Sequence, residues 1–525
     1  MIRYILTVTI LHFTVNNLSA EFIYEVSEPI PPETESYITI IGWAGPGILP
    51  ENLIIPDTLE NPEDLDQQVP VRHLANYAFE ASSLVGVEIG ANVTRIGFAA
   101  FRNCQQLEEI GLNEGLENIQ AEAFKNCKKL TTLTLPDSLE GLSTEAFYGC
   151  TQLTSIAFGN TLISLESAVF YGCTSLTSVT FPTDCQMQSI GVNCFYNCNS
   201  LEAINFPLSL RYIYENAFYN CRDIEGISFN EGLLEIHQSA FKNCTKLNYL
   251  NLPSTLQHLG NQAFYNCSGL TTITDLGMDQ VGEPYLGEGI FENCRNITES
   301  VTIPDTVQII PKKMFYNCSS LSNVTVGSSV IEIGIEAFSG SGLSSFTIPS
   351  SVTTLGKAAF RNCDSLMALS LPDNITELPE ELLYDADAIQ TISLPQSLQT
   401  IEKSCFALSS IASISIPSTV VTIENNAFKD CEYLTNISFP GNSDLEVLGD
   451  YAFRNCDALQ SIEIPDGITV FNQGLFYGCE NLQTVSLPDS LTEIEGNVFS
   501  GCKMLSTLSL PSSVANIGQN AFKDC

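Results

Sequence analysis

Cations are scarce in this sequence: Lys and Arg number 21 against 60 Asp and Glu in 525 residues, a formal net charge of -39. Nucleic acid is thereby excluded as a partner, because neutralising a phosphate backbone takes a basic stripe and no Lys/Arg run occurs. The acidity serves solubility and leaves cationic partners open. Histidine is scarcer still, four in all. There is no Cys-His pair, no C-x-x-C, no H-E-x-x-H and no glycine-rich phosphate loop after a strand, so an enzyme is not expected. Acidic pairs such as Asp385 and Asp387 lack the spacing of a calcium loop. No catalytic, cofactor-binding or metal-binding residue is assigned. Long apolar runs are also missing beyond the amino terminus, which argues against a membrane-spanning helix in this chain. The first twenty residues carry one Arg, an apolar run from Tyr4 to Val15 and an end at Ser19-Ala20, the pattern of a secretory signal.

What is abundant is repetition. The string AFKNC at residues 123–127 returns as AFYGC at 146–150, AFYNC at 217–221 and AFRNC at 359–363. With Phe as position zero, the anchors run from Phe79 through Phe101, Phe124 and Phe147 to Phe522, with Leu383 once in place of Phe. This gives about twenty units of 22–27 residues. After Phe124 come Leu130, Leu133 and Leu135, then Pro136, then Leu139 and Leu142. A period of two at Leu133 and Leu135 reads as a short strand, which proline ends because it has no donor for the ladder. The S-L-x-x-L piece reads as a second extended segment, and E-A-F with its followers as one helical turn. A single unit cannot bury its own apolar face, so neighbours must stack into a solenoid, mainly β with short helical turns.

These residues resemble the BspA-type leucine-rich repeat family, whose units carry the same L-x-x-I-x-L-P, S-L-x-x-I and A-F-x-x-C pieces. The match runs from about Leu53 to Cys525. The resemblance implies a surface or secreted protein whose repeats serve adhesion or recognition, and it supplies no catalytic residues. Residues 53–525 are therefore read as repeats, 1–20 as signal peptide and 21–52, with the only tryptophan, Trp43, as an amino-terminal cap.

Two positions after the anchor stands Asn, Gly or Asp, with Ala81 and Leu408 as exceptions. These residue types tolerate left-handed backbone, so the chain is expected to reverse there. Cysteine follows, except where Ser82, Ser341, Ala386 and Ser409 replace it. Three of those four units have the shorter turn, which makes the thiol an inward filler of space. The rival is a disulfide ladder. Equivalent side chains on stacked rungs point in parallel, and Cys363 has Ser341 and Ala386 as neighbours, so free buried thiols are expected. Cys194 and Cys405 read as core filler. Cys185, in the longer turn FPTDCQ, is the candidate for an exposed thiol or local bridge. His73, His237 and His258 are not expected to cluster.

Outward strand positions form a hydroxyl carpet, as at Thr132 and Thr134, Ser178 and Thr180, and Ser413 and Ser415. Thr is a good strand former, so the carpet has a purely local explanation beside the functional one of many weak hydrogen bonds to a protein or glycan. Units lengthen at NPEDLDQQ, TDCQ, GMDQVGEPY and GNSD, always between the strand end and the next L-x-x-I piece. The candidate binding edge there comprises Asp184, Cys185, Asp279, Gln280, Glu283, Tyr285, Asn442 and Asp444. Asn92, Asn243, Asn266, Asn296, Asn317, Asn323, Asn374 and Asn436 open glycosylation sequons. Val514, Ile517 and Phe522 belong to a final unit with no successor, so the chain is expected to be a fragment that self-associates end to end.

The function expected is a non-catalytic extracellular scaffold, secreted or on the cell surface, that binds a protein or glycan. The rivals are an extracellular hydrolase and a structural coat protein.

Overall fold

The computed structural model describes residues 9–15, 18–27, 35–43, 49–61, 64–274, 276–278 and 284–525. The chain divides into two compact units, residues 1–268 and 269–525, each a stack of three-sided rungs.

One side of a rung is a three-residue strand. Leu130, Leu133 and Leu135 are buried while Thr132 and Thr134 face out, as a period of two requires. Thr132–Thr134 pairs in parallel with Ser155–Ala157, that strand with Ser178–Thr180, and the next with Ala203–Ile204. Each residue meets its equivalent one unit on, so Leu133, Ile156, Val179 and Ile204 form one buried row. The second side is a two-residue strand. In the first unit Ser164–Leu165, Ser189–Ile190, Tyr212–Ile213, Glu235–Ile236 and His258–Leu259 pair in order. The second unit repeats both sides. Ser413–Ser415 pairs with Asn436–Ser438, and Glu377–Leu378 leads through Thr400–Ile401 and Thr422–Ile423 to Val447–Leu448.

The third side corrects the expected helical turn, for no helix occurs among the described residues. Left-handed backbone appears at the foreseen position, at Asn126 (φ 62°), and again four residues earlier, at Glu122 (φ 57°). Ala81 and Leu408 adopt it as well, so the geometry holds even where the sequence breaks its own rule. Amides then alternate in their use. Glu122, Phe124 and Asn126 donate to the Thr144, Ala146 and Tyr148 carbonyls of the next rung at 3.1, 2.7 and 2.7 Å, while Ala123, Lys125 and Cys127 donate three residues back at 3.3, 3.0 and 3.2 Å. A helix would keep every amide inside the rung. Here half of them join rung to rung, each adding about 1 kcal/mol, which offsets the ~1–2 kcal/mol that a non-glycine left-handed residue costs.

The anchors stack inside this turn. Phe101 and Phe124 lie 5.1 Å apart, Phe124 and Phe147 5.1 Å, and Phe147 and Phe170 5.6 Å, with near-parallel rings. At the amino terminus, Leu18–Ser27 pairs antiparallel with Thr9–Val15 and with Tyr37–Trp43. Tyr37–Trp43 in turn runs parallel to Asp64–Leu74. Phe22, Tyr24, Ile38 and Ile40 are buried, and Phe22 meets Trp43 edge-on at 5.7 Å. Of the NPEDLDQQ insertion, Asn61 and residues 64–68 belong to the antiparallel pair of Thr58–Asn61 with Asp64–Leu74.

Candidate functional site

The repeated cysteine lies inside. Every cysteine among the described residues is free, and all but Cys525 are buried. The thiols at the repeat position are more than filler, because their S–H groups are placed to donate to the anchor carbonyl of the preceding rung. Cys127 reaches the Phe101 oxygen at 3.2 Å, Cys150 that of Phe124 at 3.3 Å, and Cys431 that of Phe406 at 3.0 Å. Burial pushes the Cys150 and Cys431 thiols up to about 12 and Cys363 to about 11, which removes them as nucleophiles at neutral pH. Cys194 and Cys405 are buried filler as expected. Cys185 is not the exposed thiol foreseen. It is only 5 % exposed, and its carbonyl accepts the Ser209 hydroxyl at 2.8 Å, because the TDCQ turn folds back over the rung.

The turn side carries amide, aromatic and ion-pair rows. Asn220 Nδ2 donates to Asn197 Oδ1 at 2.8 Å, Asn243 to Asn220 at 2.9 Å and Asn266 to Asn243 at 2.9 Å, an amide ladder one column from the thiols. One residue after the anchor, Tyr148, Tyr171, Tyr196 and Tyr219 stack at 4.7, 4.7 and 4.6 Å. Burial against these neighbours raises the Tyr171 and Tyr196 phenols. The sequence reading passed over this row, although its signal was the Tyr in four successive units. Lys125 sits 5.0 Å over Tyr148 and is ion-paired to Glu145, while Arg102 bridges Glu80 and Glu122 at 2.6 and 2.7 Å. Hydrogen bonding to Arg102 lowers the Glu122 carboxyl.

Histidines do meet, against expectation. The His237 and His258 rings are 5.1 Å apart on the two-residue strand side, with Tyr214 5.0 Å from His237 and Glu235 Oε2 2.9 Å from His237 Nε2. Their different offsets from the anchor hid this, because the two positions lie diagonally on neighbouring rungs. No group of three or more His, Cys, Asp or Glu suited to a metal occurs among the described residues.

The three-residue strand side is different in chemistry. In the first unit its outward residues from Thr132 onward are Thr, Ser, Ala, Gly, Asn and Tyr249, and Glu88 and Glu109 precede them. In the second unit Glu463 is the charged member of the row. Thr132, Thr134, Ser178, Thr180, Ser345, Thr347, Ser415 and Ser438 are exposed. Of the insertion-edge candidates, Asp184, Asn442 and Asp444 are exposed, Asp444 N–H donating to the Ser418 carbonyl at 2.8 Å. Tyr285, 49 % exposed, stands on the two-residue strand Tyr285–Leu286. Asp279, Gln280 and Glu283 lie outside the described residues.

The sequons divide by burial and bonding. Asn92, Asn296, Asn323, Asn374 and Asn436 are exposed. Asn243, Asn266 and Asn317 belong to amide ladders, the last donating to Asn293 at 3.0 Å. Asn92 and Asn374 donate to the Asp57 and Val352 carbonyls at 3.0 and 2.7 Å.

Stacked parallel rungs with inward Leu/Ile rows and a proline-ended strand define a leucine-rich-repeat solenoid. The chain belongs to the BspA type leucine rich repeat family, whose model matches residues 72–187, 183–277, 284–411 and 399–525. No curated protein matches it. Among solved structures it is similar to a leucine-rich repeat protein from Bacteroides ovatus, at 21 % identity over 96 % of this chain and 99 % of that one, TM-score 0.39. A leucine rich cell surface protein from Faecalibacterium prausnitzii matches at 22 % identity, 82 % and 95 % coverage and TM-score 0.33. The pneumococcal vaccine antigen PcpA matches at 16 %, 84 % and 98 %, TM-score 0.31.

Proposed function

We propose that this repeat scaffold is a non-catalytic extracellular recognition or adhesion protein, secreted or held at the cell surface, that binds a protein or glycan through the outward face of its three-residue strands. The observation that carries this reading is the segregation of charge. A chain with 60 acidic residues keeps its outward strand row almost free of them, so a ligand can be hydrogen-bonded there without first desolvating fixed charge. In this reading residues 1–20 direct export and 21–52 cover the first rung, burying Ile38 and Ile40. Glycans, where attached, go on the exposed Asn296, Asn323 and Asn436 rather than on Asn92 and Asn374, which are exposed but donate to backbone carbonyls. A screen of the purified chain against immobilised extracellular-matrix proteins and glycans tests the proposal. Specific capture supports it, whereas turnover of a substrate, lost when one acidic residue is substituted, would favour a hydrolase.

A further inference from the structure

On the second unit the strand face and the insertion edge meet in a trough. It holds about 440 Å³ and is lined by the exposed Ser393, Ser415, Ser438 and Gln396 on one side and by Pro417 and Phe439 on the other. Ser438 Oγ donates to Ser415 Oγ at 3.2 Å, so the hydroxyls form a short rail along the stack. Ser418 also lines the trough, and its carbonyl takes the Asp444 N–H of the GNSD insertion, which fixes that loop to the wall. A similar trough, again about 440 Å³, recurs at the same phase of the repeat between Thr484, Ser486, Thr507 and Ser509 and the proline at 511, with the exposed Asp489 as one charged member of its lining.

We propose that this trough is a binding site for a segment of a neutral polysaccharide. The inference rests on the recognition reading above and narrows it to one ligand class. Its volume lies within the ~300–1,000 Å³ of small-ligand sites. No acidic or basic side chain lines it, so an ionic ligand would lose water there and gain no counter-charge. Hydroxyl and carboxamide groups donate and accept alike, which suits a polyol whose hydroxyls do both. The proline and phenylalanine side, with Pro417 buried and Phe439 half-buried, is apolar, as is the C–H face of a sugar ring. An extended peptide fits less well. Adding a strand requires a free backbone edge, and Ser413–Ser415 is already paired with Asn436–Ser438 and bridged to Thr391. Recurrence at a second rung pair offers two contacts for one long chain, which multiplies weak affinities.

The test is calorimetric titration of the 525-residue chain, expressed without glycosylation, with neutral β-1,4-glucan, β-1,3-glucan, α-1,4-glucan and β-1,4-mannan hexasaccharides, and with a sulfated oligosaccharide as the charged comparison. At least one neutral oligosaccharide should bind, with an affinity unchanged between about 0.05 and 0.5 M salt because no ion pair is made. The Ser415→Val/Ser438→Val variant should bind at least tenfold more weakly. Val is a strand former, so its urea unfolding should match the unsubstituted chain. Tyr196→Phe, on the turn side and outside the strand face, should leave binding intact. Binding that the double variant leaves unchanged, or that is confined to the sulfated probe and falls with salt, overturns the proposal. Capture of a protein ligand on this face with no neutral glycan bound also overturns it, while leaving the recognition reading standing.

Discussion

Unfolding should convert the thiols from silent to reactive all at once, and the structure sets how large the change is. Cys150 and Cys431, with pKa values near 12, expose only about one part in 10⁴ as thiolate at pH 8, against roughly a quarter for an ordinary thiol near 8.5. Even solvent that reached them would find a nucleophile about a thousandfold weaker, and their burial adds the free energy of opening a rung. Iodoacetamide at pH 8 followed by intact-mass measurement should therefore label the native chain at Cys525, the one exposed thiol, on a timescale of minutes. In 6 M guanidinium without reductant the same treatment should label all 19. A denatured chain that takes few labels until a reductant is added would show a disulfide ladder and refute the reasoning. So would a native chain that labels broadly.

The anchor stack makes a second prediction. Phe147→Ala should cost about 3–5 kcal/mol, from a cavity in a column where its ring meets Phe124 and Phe170, and Phe147→Leu under ~1.5 kcal/mol, because Leu383 already fills an anchor position fully buried. Hydrogen exchange should locate the loss in the rungs next to residue 147, since each rung contacts only its neighbours. Near the amino terminus, burial, with Arg95 and Arg72 close by, pushes the His73 imidazole down from 6.5 to about 4. The unfolded chain binds that proton near pH 6.5 and the folded sheet refuses it until about pH 4, so this contribution is complete above 6.5 and is lost as pH falls through the window. The difference in urea midpoint between the parent chain and His73→Gln should accordingly shrink from pH 7 to pH 4.5. Ile517 and Phe522 in the final rung are 50 % and 36 % exposed, and light scattering of the 525-residue chain should show concentration-dependent association that Ile517→Glu reduces.

Much of the architecture was legible because one local rule is written many times. The period of two at Leu133 and Leu135, the stop at Pro136 and the Asn at 126 each have a single-residue physical meaning, and the structure realises all three. The turn was misread because E-A-F looks helical by propensity, and the residue that forbids a helix, Glu122, has no left-handed preference of its own. Its conformation is imposed by amides that bond to the next rung, a tertiary cause invisible in one unit. Cys185 was misplaced for the same reason, since only the fold shows its turn closing inward. The face with the hydroxyls was readable from alternation alone. The trough was not, because it forms from Ser393, Ser415 and Ser438, which stand on three successive rungs, and from the proline wall that runs beside them.

The central claim is that recognition takes place on the uncharged strand face rather than on the charged turn side. Two variants with the same added charge separate these: Ser415→Arg/Ser438→Arg on the strand face, and Tyr148→Arg/Tyr196→Arg on the turn side. Each is measured by surface plasmon resonance against the ligand captured in the matrix and glycan screen. The strand-face variant should lose binding at least tenfold while the turn-side variant keeps it. Loss in the turn-side variant alone would place the ligand on the tyrosine ladder and contradict the account.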